Sequence, residues 1–322
     1  MKRRHLLITA AASAAALHSP AWAAYPDKPL TFIVPFPPGG PADGYGRALA
    51  QALSEQMKQT VVVENRSGAG GALGVQVVSR AAPDGYTLGM AGSGATIFQP
   101  ILSDKAVVDV FKETTMLSKM VRTPNFMVVG PSLRVNSVDE VIARAKAQPG
   151  KLTFASAGAG SGPHILGELF RQQANVNIVH IPYKGATPAL QDLLGGHVDM
   201  FFGEAPGVLP LIRDGKLRAL FTTGRQRVKW LPDVPHAGEV GLPEVVADGF
   251  YGVVAPANLQ PEAASALRRA LDAALRSPKT AEAFDQRGGI PEPSTGEQYT
   301  EYVKSEQQRW LPVVRKGNIR LE

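Results

Sequence analysis

The sequence predicts an α/β protein of two lobes, each a mostly parallel sheet flanked by helices, with a ligand cleft between the lobes. Three observations lead there. Short apolar runs alternate with stretches of helical periodicity along almost the whole chain. The turns that end those runs are rich in glycine and proline. The order apolar run, Gly-rich turn, amphipathic helix that begins at Leu30 returns at Leu152. On this reading residues 1–24 are a leader, 25–121 the first part of lobe 1, 122–247 lobe 2, and 248–322 a return segment whose C-terminal helices pack on lobe 1.

In the leader, Lys2, Arg3 and Arg4 precede an apolar, alanine-rich run over residues 6–17 and a peptidase-type Ala21-Trp22-Ala23 site. This pattern suits the general secretory route, and the Arg3-Arg4 pair also allows a twin-arginine route. No other apolar stretch is long enough to span a bilayer, and no cysteine is present for a lipid anchor, a disulfide or a thiol site. Without the leader's three cations the chain holds 31 basic against 28 acidic residues. That modest excess, without a dense Lys/Arg run and interleaved aromatics, suits small anionic solutes and argues against nucleic acid.

The first strand covers residues 30–34 and runs into Pro35-Phe36-Pro37-Pro38-Gly39-Gly40-Pro41-Ala42-Asp43. Tyr45, Leu49, Ala52, Leu53 and Met57 then share one helical face. A strand-to-helix turn of this kind aims unpaired N–H groups and the positive end of a helix dipole at whatever it holds, so it suits an anion. Gly39 and Gly40 clear space for close backbone approach, the prolines lower the entropy of ordering the loop, and Asp43 stands where an N-cap would. A second strand at 60–64 enters Glu64-Asn65-Arg66-Ser67-Gly68-Ala69-Gly70-Gly71 and a helix at 72–80. These glycines serve either ligand contact or helix packing, and the spacing lacks the third glycine of a dinucleotide fingerprint. A third strand at 86–91 ends in the loop Gly92-Ser93-Gly94-Ala95-Thr96.

Residues 125–129 make a strand and 137–147 a helix capped by Ser137. The strand 152–156 then opens a second anion-type turn, Ala157-Gly158-Ala159-Gly160-Ser161-Gly162-Pro163-His164, continued by a helix through Phe170. Strands follow at 176–181, 199–202, 218–222 and 249–255, with helices at 188–194, 206–213, 262–276, 278–287 and 295–316. Residues 223–246 read as a long surface connection. Two such lobes suggest hinge closure on a ligand, with the hinge at the chain crossings near 120–125 and 246–252.

Enzyme chemistry is the weaker reading. His164, His180, His197 and His236 are all the histidines outside the leader, and no pair has metal-helix spacing. His180, His197 and His236 read as structural, whereas His164, beside a Gly-rich loop, serves either a ligand or a cap. Neither Ser93 nor Ser161 sits in a nucleophile-elbow frame, and no Walker loop is present. No cofactor is expected.

Residues 35–43, 64–71, 81–88, 156–170 and 182–202, in order and over essentially the whole chain after the leader, closely resemble the solute-binding receptors of tripartite tricarboxylate transporters, the Bug-type receptors. The resemblance implies a periplasmic, monomeric, two-lobed binding protein that holds a small organic carboxylate between its two strand-to-helix loops and passes it to the transporter's membrane subunits. A ligand-sensing partner of a membrane signalling protein is the alternative role. The candidate ligand contacts are Phe36, Pro38, Gly39, Gly40, Asp43, Ser93, Thr96, Gly158, Ala159, Gly160, Ser161, His164, Tyr183 and Glu204. Two departures stand out. Phe202-Gly203-Glu204 replaces the Phe-Asp-Asn common in relatives, so that Glu204 either faces the cleft and repels a second negative charge or caps the helix after it. Between Phe98 and Phe111 the usual Asn-Pro and Tyr-Asp landmarks are absent.

Overall fold

The structure, a computed structural model, describes residues 25–103, 106–317 and 319; the leader expected at 1–24 lies outside the described residues. Two sheets form the two lobes. Lobe 1 orders its strands β11-β4-β10-β3-β1-β2, where β1 is Leu30–Val34, β2 Val61–Asn65, β3 Thr87–Gly92, β4 Thr114–Thr123, β10 Gly249–Pro256 and β11 Ile290–Pro291. Lobe 2 orders β7-β6-β8-β5-β9, with β5 Asn125–Val129, β6 Thr153–Ser156, β7 Val179–Pro182, β8 Met200–Glu204 and β9 Arg218–Thr222.

The sheets are mixed, which corrects the expectation of mostly parallel ones. In lobe 1, β1 pairs parallel with β2 and β3, but β10 pairs antiparallel with both β3 and β4. In lobe 2, β6 pairs parallel with β7 and β8, while β5 pairs antiparallel with β8 and β9. The physical reason is the route of the chain. It leaves lobe 1 along β4, passes Pro124 straight into β5, and returns along β10, so the strands that carry it between lobes lie antiparallel to their neighbours. The parallel halves hold the strand-to-helix loops.

Helices α1 (Pro41–Met57), α2 (Ala72–Ser79), α3 (Val138–Ala147), α4 (Gly162–Gln173), α5 (Ala186–Gly195), α6 (Ala205–Arg213), α7 (Pro261–Leu275), α8 (Pro278–Asp285) and α9 (Gly296–Gly317) flank the sheets. Tyr45, Leu49 and Leu53 of α1 bury against Phe32 of β1 together with Leu267, Leu271 and Phe284, giving one face of lobe 1 its core. Ser137 caps α3 as expected, its hydroxyl accepting the Glu140 N–H at 3.2 Å.

Helix α9 does not belong to lobe 1 alone. Its Tyr299 donates to the Ala91 carbonyl at 3.2 Å in lobe 1, while Gln172 of α4 donates to its Val313 carbonyl at 3.2 Å in lobe 2. Trp310 and Val314 join Leu166, Leu169 and Phe170 in an apolar cluster that continues through Ile33 and Val75 into lobe 1. The periodicity of α9 announces a buried face without saying that the face is long enough to serve two partners.

Strand β4 was not expected, because Ser118, Lys119 and Arg122 interrupt its apolar run. Each is matched by a partner distant in sequence. Lys119 is only 6% exposed; its Nζ meets Glu292 at 3.0 Å and lies 3.6 Å from the centre of the Tyr302 ring. Ser118 Oγ accepts the Ser294 N–H at 3.1 Å, and Arg122 pairs with Asp248 at 2.6 Å. The loop expected after β3 is also more regular, winding into a π-helical turn at Gly94–Phe98.

Candidate functional site

The loop between β1 and α1 is held by its own acid. Gly40, in extended conformation, occupies the N-cap position of α1 and supplies no side chain to cap it. Asp43 is therefore not the N-cap; it sits in the first helical turn and reaches back along the loop. Its Oδ2 accepts the Gly39 N–H at 3.0 Å and Arg47 Nε at 2.7 Å, and its Oδ1 accepts Asn65 Nδ2 at 2.8 Å. Asn65 Nδ2 also donates to the Phe36 carbonyl at 2.9 Å, so the end of β2 is tied to the start of the loop. Burial opposes ionisation of Asp43, but the bonds from Arg47, Asn65 and Gly39 together hold its carboxyl below the usual carboxylate range. Asp43 thus anchors the loop through contacts within the protein. Gly39, at φ +72°, takes a left-handed conformation that glycine adopts without strain, and it is exposed together with Pro38.

Around this loop lies the floor of lobe 1. The Phe36 ring meets Tyr251 edge-on at 5.8 Å and covers Gly71, where a Cβ would lie 3.3 Å from it. A Cβ at Gly94 would lie 2.2 Å from the Gly70 carbonyl oxygen. The second Gly-rich loop accordingly serves close packing against the turn after β3. Within that turn Thr96 is fully buried, donates to the Gly92 carbonyl at 3.0 Å, and has its own carbonyl bound by Gln307 at 2.6 Å. Ser93 is only half-buried and faces lobe 2: a Cβ at Gly162 would lie 3.7 Å from its Oγ.

In lobe 2 the turn after β6 stands on two histidines. Gly160 N–H donates to His164 Nδ1 at 3.1 Å; Gly158 N–H donates to Ser156 Oγ at 3.1 Å, and that hydroxyl shares a 2.6 Å hydrogen bond with His180 Nε2. Ser161 closes the turn by donating through Oγ to the Gly158 carbonyl at 2.6 Å. Gly158 and Gly160 sit at φ +125° and +72°. Burial, then the charge of Arg171, pushes His164 down to about 4, and burial, then the neighbouring His164, pushes His180 down to about 3. Both imidazoles are neutral at pH 7. The half-buried Ala159 lies at the turn's apex, and its N–H has no backbone partner among the described residues. Tyr183 at the end of β7 points its hydroxyl at Asp192 Oδ2, donating at 2.7 Å; burial and then Asp192 raise it to about 12.

Glu204 does not take the helix-capping role with its side chain. It occupies the N-cap position of α6 by its backbone, with no side-chain cap. Its carboxylate instead crosses to lobe 1, where Tyr251 donates to Oε2 at 2.7 Å. The crossing strands meet at this point. A Cβ at Gly249 would lie 2.5 Å from Thr123 Oγ1 and 2.9 Å from Glu204 Oε1, and the Ala205 N–H donates to the Pro124 carbonyl. Burial raises the Glu204 carboxyl to about 7 against the opposing effect of the Tyr251 bond.

The structure thus brings together Gly39 with Asp43, Phe36 with Glu204 through Tyr251, Ser93 with the start of α4, and Gly158, Gly160, Ser161 and His164 in one turn. It gives Thr96 and the Tyr183 hydroxyl partners inside the protein. Sequence reasoning passed over Arg47, Asn65, Ser156, His180 and Tyr251. Asn65 lay inside a quoted motif, but its reach to Asp43 depends on β1 and β2 being neighbours. Among the described residues no group of three His, Cys, Asp or Glu side chains is placed to hold a metal ion. A groove of about 880 Å³ on lobe 1, lined by Thr115, Arg268, Arg269 and Glu297, includes none of the candidate contacts.

Known proteins are similar to this chain in sequence and fold. Protein BugT of Bordetella pertussis is 39% identical over 299 residues, covering 92% of each chain. The structure of Rpa4515 from R. palustris with adipate is 30% identical with a TM-score of 0.88, covering 92% of this chain and 99% of that one. MatC from Rhodopseudomonas palustris with bound malate is 28% identical with a TM-score of 0.84, covering 90% and 100%. Residues 46–319 match the tripartite tricarboxylate transporter family receptor, and the chain belongs to that family.

Proposed function

We propose that the protein captures a small organic carboxylate between the loops at 35–43 and 157–164 and delivers it to the membrane subunits of a tripartite transporter, with no covalent chemistry on the ligand. One observation carries this reading. Two glycine-opened strand-to-helix loops, one on each lobe, run into the N-termini of α1 and α4, while neither loop contains a lysine or arginine. An anion there meets backbone N–H groups and the partial positive charge of helix ends, which suits a carboxylate held by hydrogen bonds and released intact. The adipate and malate bound by two structural relatives support the ligand class.

A thermal-shift panel of mono-, di- and tricarboxylates, amino acids, sugars and cations tests it. A ligand at 100 times its Kd adds about 2.7 kcal/mol of stability. A shift with at least one carboxylate is expected. Shifts confined to sugars or cations contradict the reading.

A further inference from the structure

Two stacked imidazoles lie beneath the lobe 2 loop, and each holds one end of it. His164 takes the Gly160 N–H, and His180 holds Ser156, which takes the Gly158 N–H. The rings are 3.9 Å apart and 11° from parallel, with Phe154 against them at 5.0 and 6.5 Å. We infer that His164 is a positioning residue that holds the backbone of residues 158–161 in its binding shape only while its imidazole is neutral, with His180 stacked against it and bonded to Ser156. This rests on the reading of that loop as part of the carboxylate site.

Because His164 Nδ1 accepts from Gly160, a neutral His164 carries its single proton on Nε2. A second proton would sit on Nδ1 and face the Gly160 N–H, donor against donor, so the bond would be lost. Gly158 and Gly160 have no side chains of their own to restore the turn, and both hold left-handed φ values. A cation on one ring also repels a cation on the other at this distance. The charged group that acts on His164 is Arg171, itself a cation, so it gives an imidazolium no support. On α4 the ionisable neighbours are Arg171 and Glu168, paired with each other at 2.6 Å; β6 presents Phe154 and Ser156, and β7 presents His180 itself. Burial and Arg171 both favour the neutral form.

Isothermal titration of the full protein with malate and adipate from pH 8 to pH 3 is the test. With His164 lowered to about 4, wild-type affinity should fall about twofold more than that of His164→Asn by pH 4 and about tenfold more by pH 3. His164→Leu, which removes the acceptor, should lose at least tenfold at pH 7. His164→Asn, whose Oδ1 replaces Nδ1 as acceptor and takes no proton, should recover most of that loss and show a flatter pH profile. Protonation of the ligand acts equally on all three proteins, so the difference between profiles belongs to the protein. An Asn variant with the wild-type profile, or a Leu variant that binds like wild type, overturns the inference. Hydrogen exchange of the segment 157–164 at pH 7 reads the anchor without any ligand, and His164→Leu should speed it at least tenfold. If neither acid binds wild type at any pH, the carboxylate reading fails, and unchanged exchange in the Leu variant separately overturns the anchor.

Discussion

Replacing Asp43 with alanine separates an anchor from a ligand contact. Asp43 is 3% exposed, and its carboxylate accepts three hydrogen bonds, from Gly39, Arg47 and Asn65. Buried bonds to a charged group contribute about 1.5 to 3 kcal/mol each, but Gly39 is exposed and the Arg47 side chain half-exposed, so water replaces much of what they lose. The expected loss of stability is about 2 to 4 kcal/mol. Binding falls for a second reason. Without Asp43 the loop must be ordered when ligand arrives, and one or two residues at about 1 to 2 kcal/mol each correspond to at least a tenfold weaker Kd. Asp43→Asn keeps an acceptor and the shape, and should give less than half of both effects. The sign with pH follows from the lowered carboxyl: the contribution is present above the ordinary Asp value and is lost as pH falls through the folded value. Denaturant unfolding with calorimetric binding on the same samples is the assay. Asp43→Ala that keeps wild-type stability but loses binding refutes the anchor and makes Asp43 a direct contact.

Glu204 and the histidines make opposite pH predictions. The histidines, lowered in the fold, contribute stability that is lost as pH falls from their ordinary value near 6.5 toward 4, so His164→Asn should flatten the acid limb of a Tm-against-pH curve. Glu204, raised to about 7, contributes stability below its ordinary value that is lost as pH rises to 7. Glu204→Gln should therefore gain on wild type by up to about 3 kcal/mol between pH 4.5 and pH 8, and a constant offset across that range contradicts its buried environment. Tyr251→Phe removes the donor to Glu204 and should cost about 1 to 3 kcal/mol by chemical unfolding, with Glu204→Gln in the same chain recovering part of it; simple additivity would show the bond to be without weight. Gly39→Val should cost about 1 to 2 kcal/mol for the left-handed backbone, although nothing lies within 4 Å of its Cβ position, and Gly39→Asn should cost less; equal unfolding midpoints refute the backbone argument.

Strand-and-helix alternation was legible because its cause is local. Leu30–Val34, Asn125–Val129 and Arg218–Thr222 are apolar runs closed by turn residues, and the structure gives those bounds. Strand β4 was not legible, since a buried lysine is tolerated only with the glutamate and tyrosine that α9 and its approach bring to it. The same holds at the site. The glycine turns announce themselves, but the chain Gly39, Asp43, Asn65, Phe36 exists only once β1 and β2 lie side by side. His180, read as an ordinary strand histidine, acquires its role from the register that sets it opposite Phe154 and next to Ser156. Glu204 reaches Tyr251 because two strands cross between lobes, a fact of topology that no window of sequence contains.

The most direct measurement is a crystal structure of the protein with the tightest carboxylate found in the thermal-shift panel. The ligand's carboxylate should lie between residues 36–43 and 157–164, within hydrogen-bond distance of backbone N–H groups from both lobes. A carboxylate seated elsewhere, for instance among Arg268, Arg269 and Glu297 in the lobe 1 groove, would contradict the two-loop site.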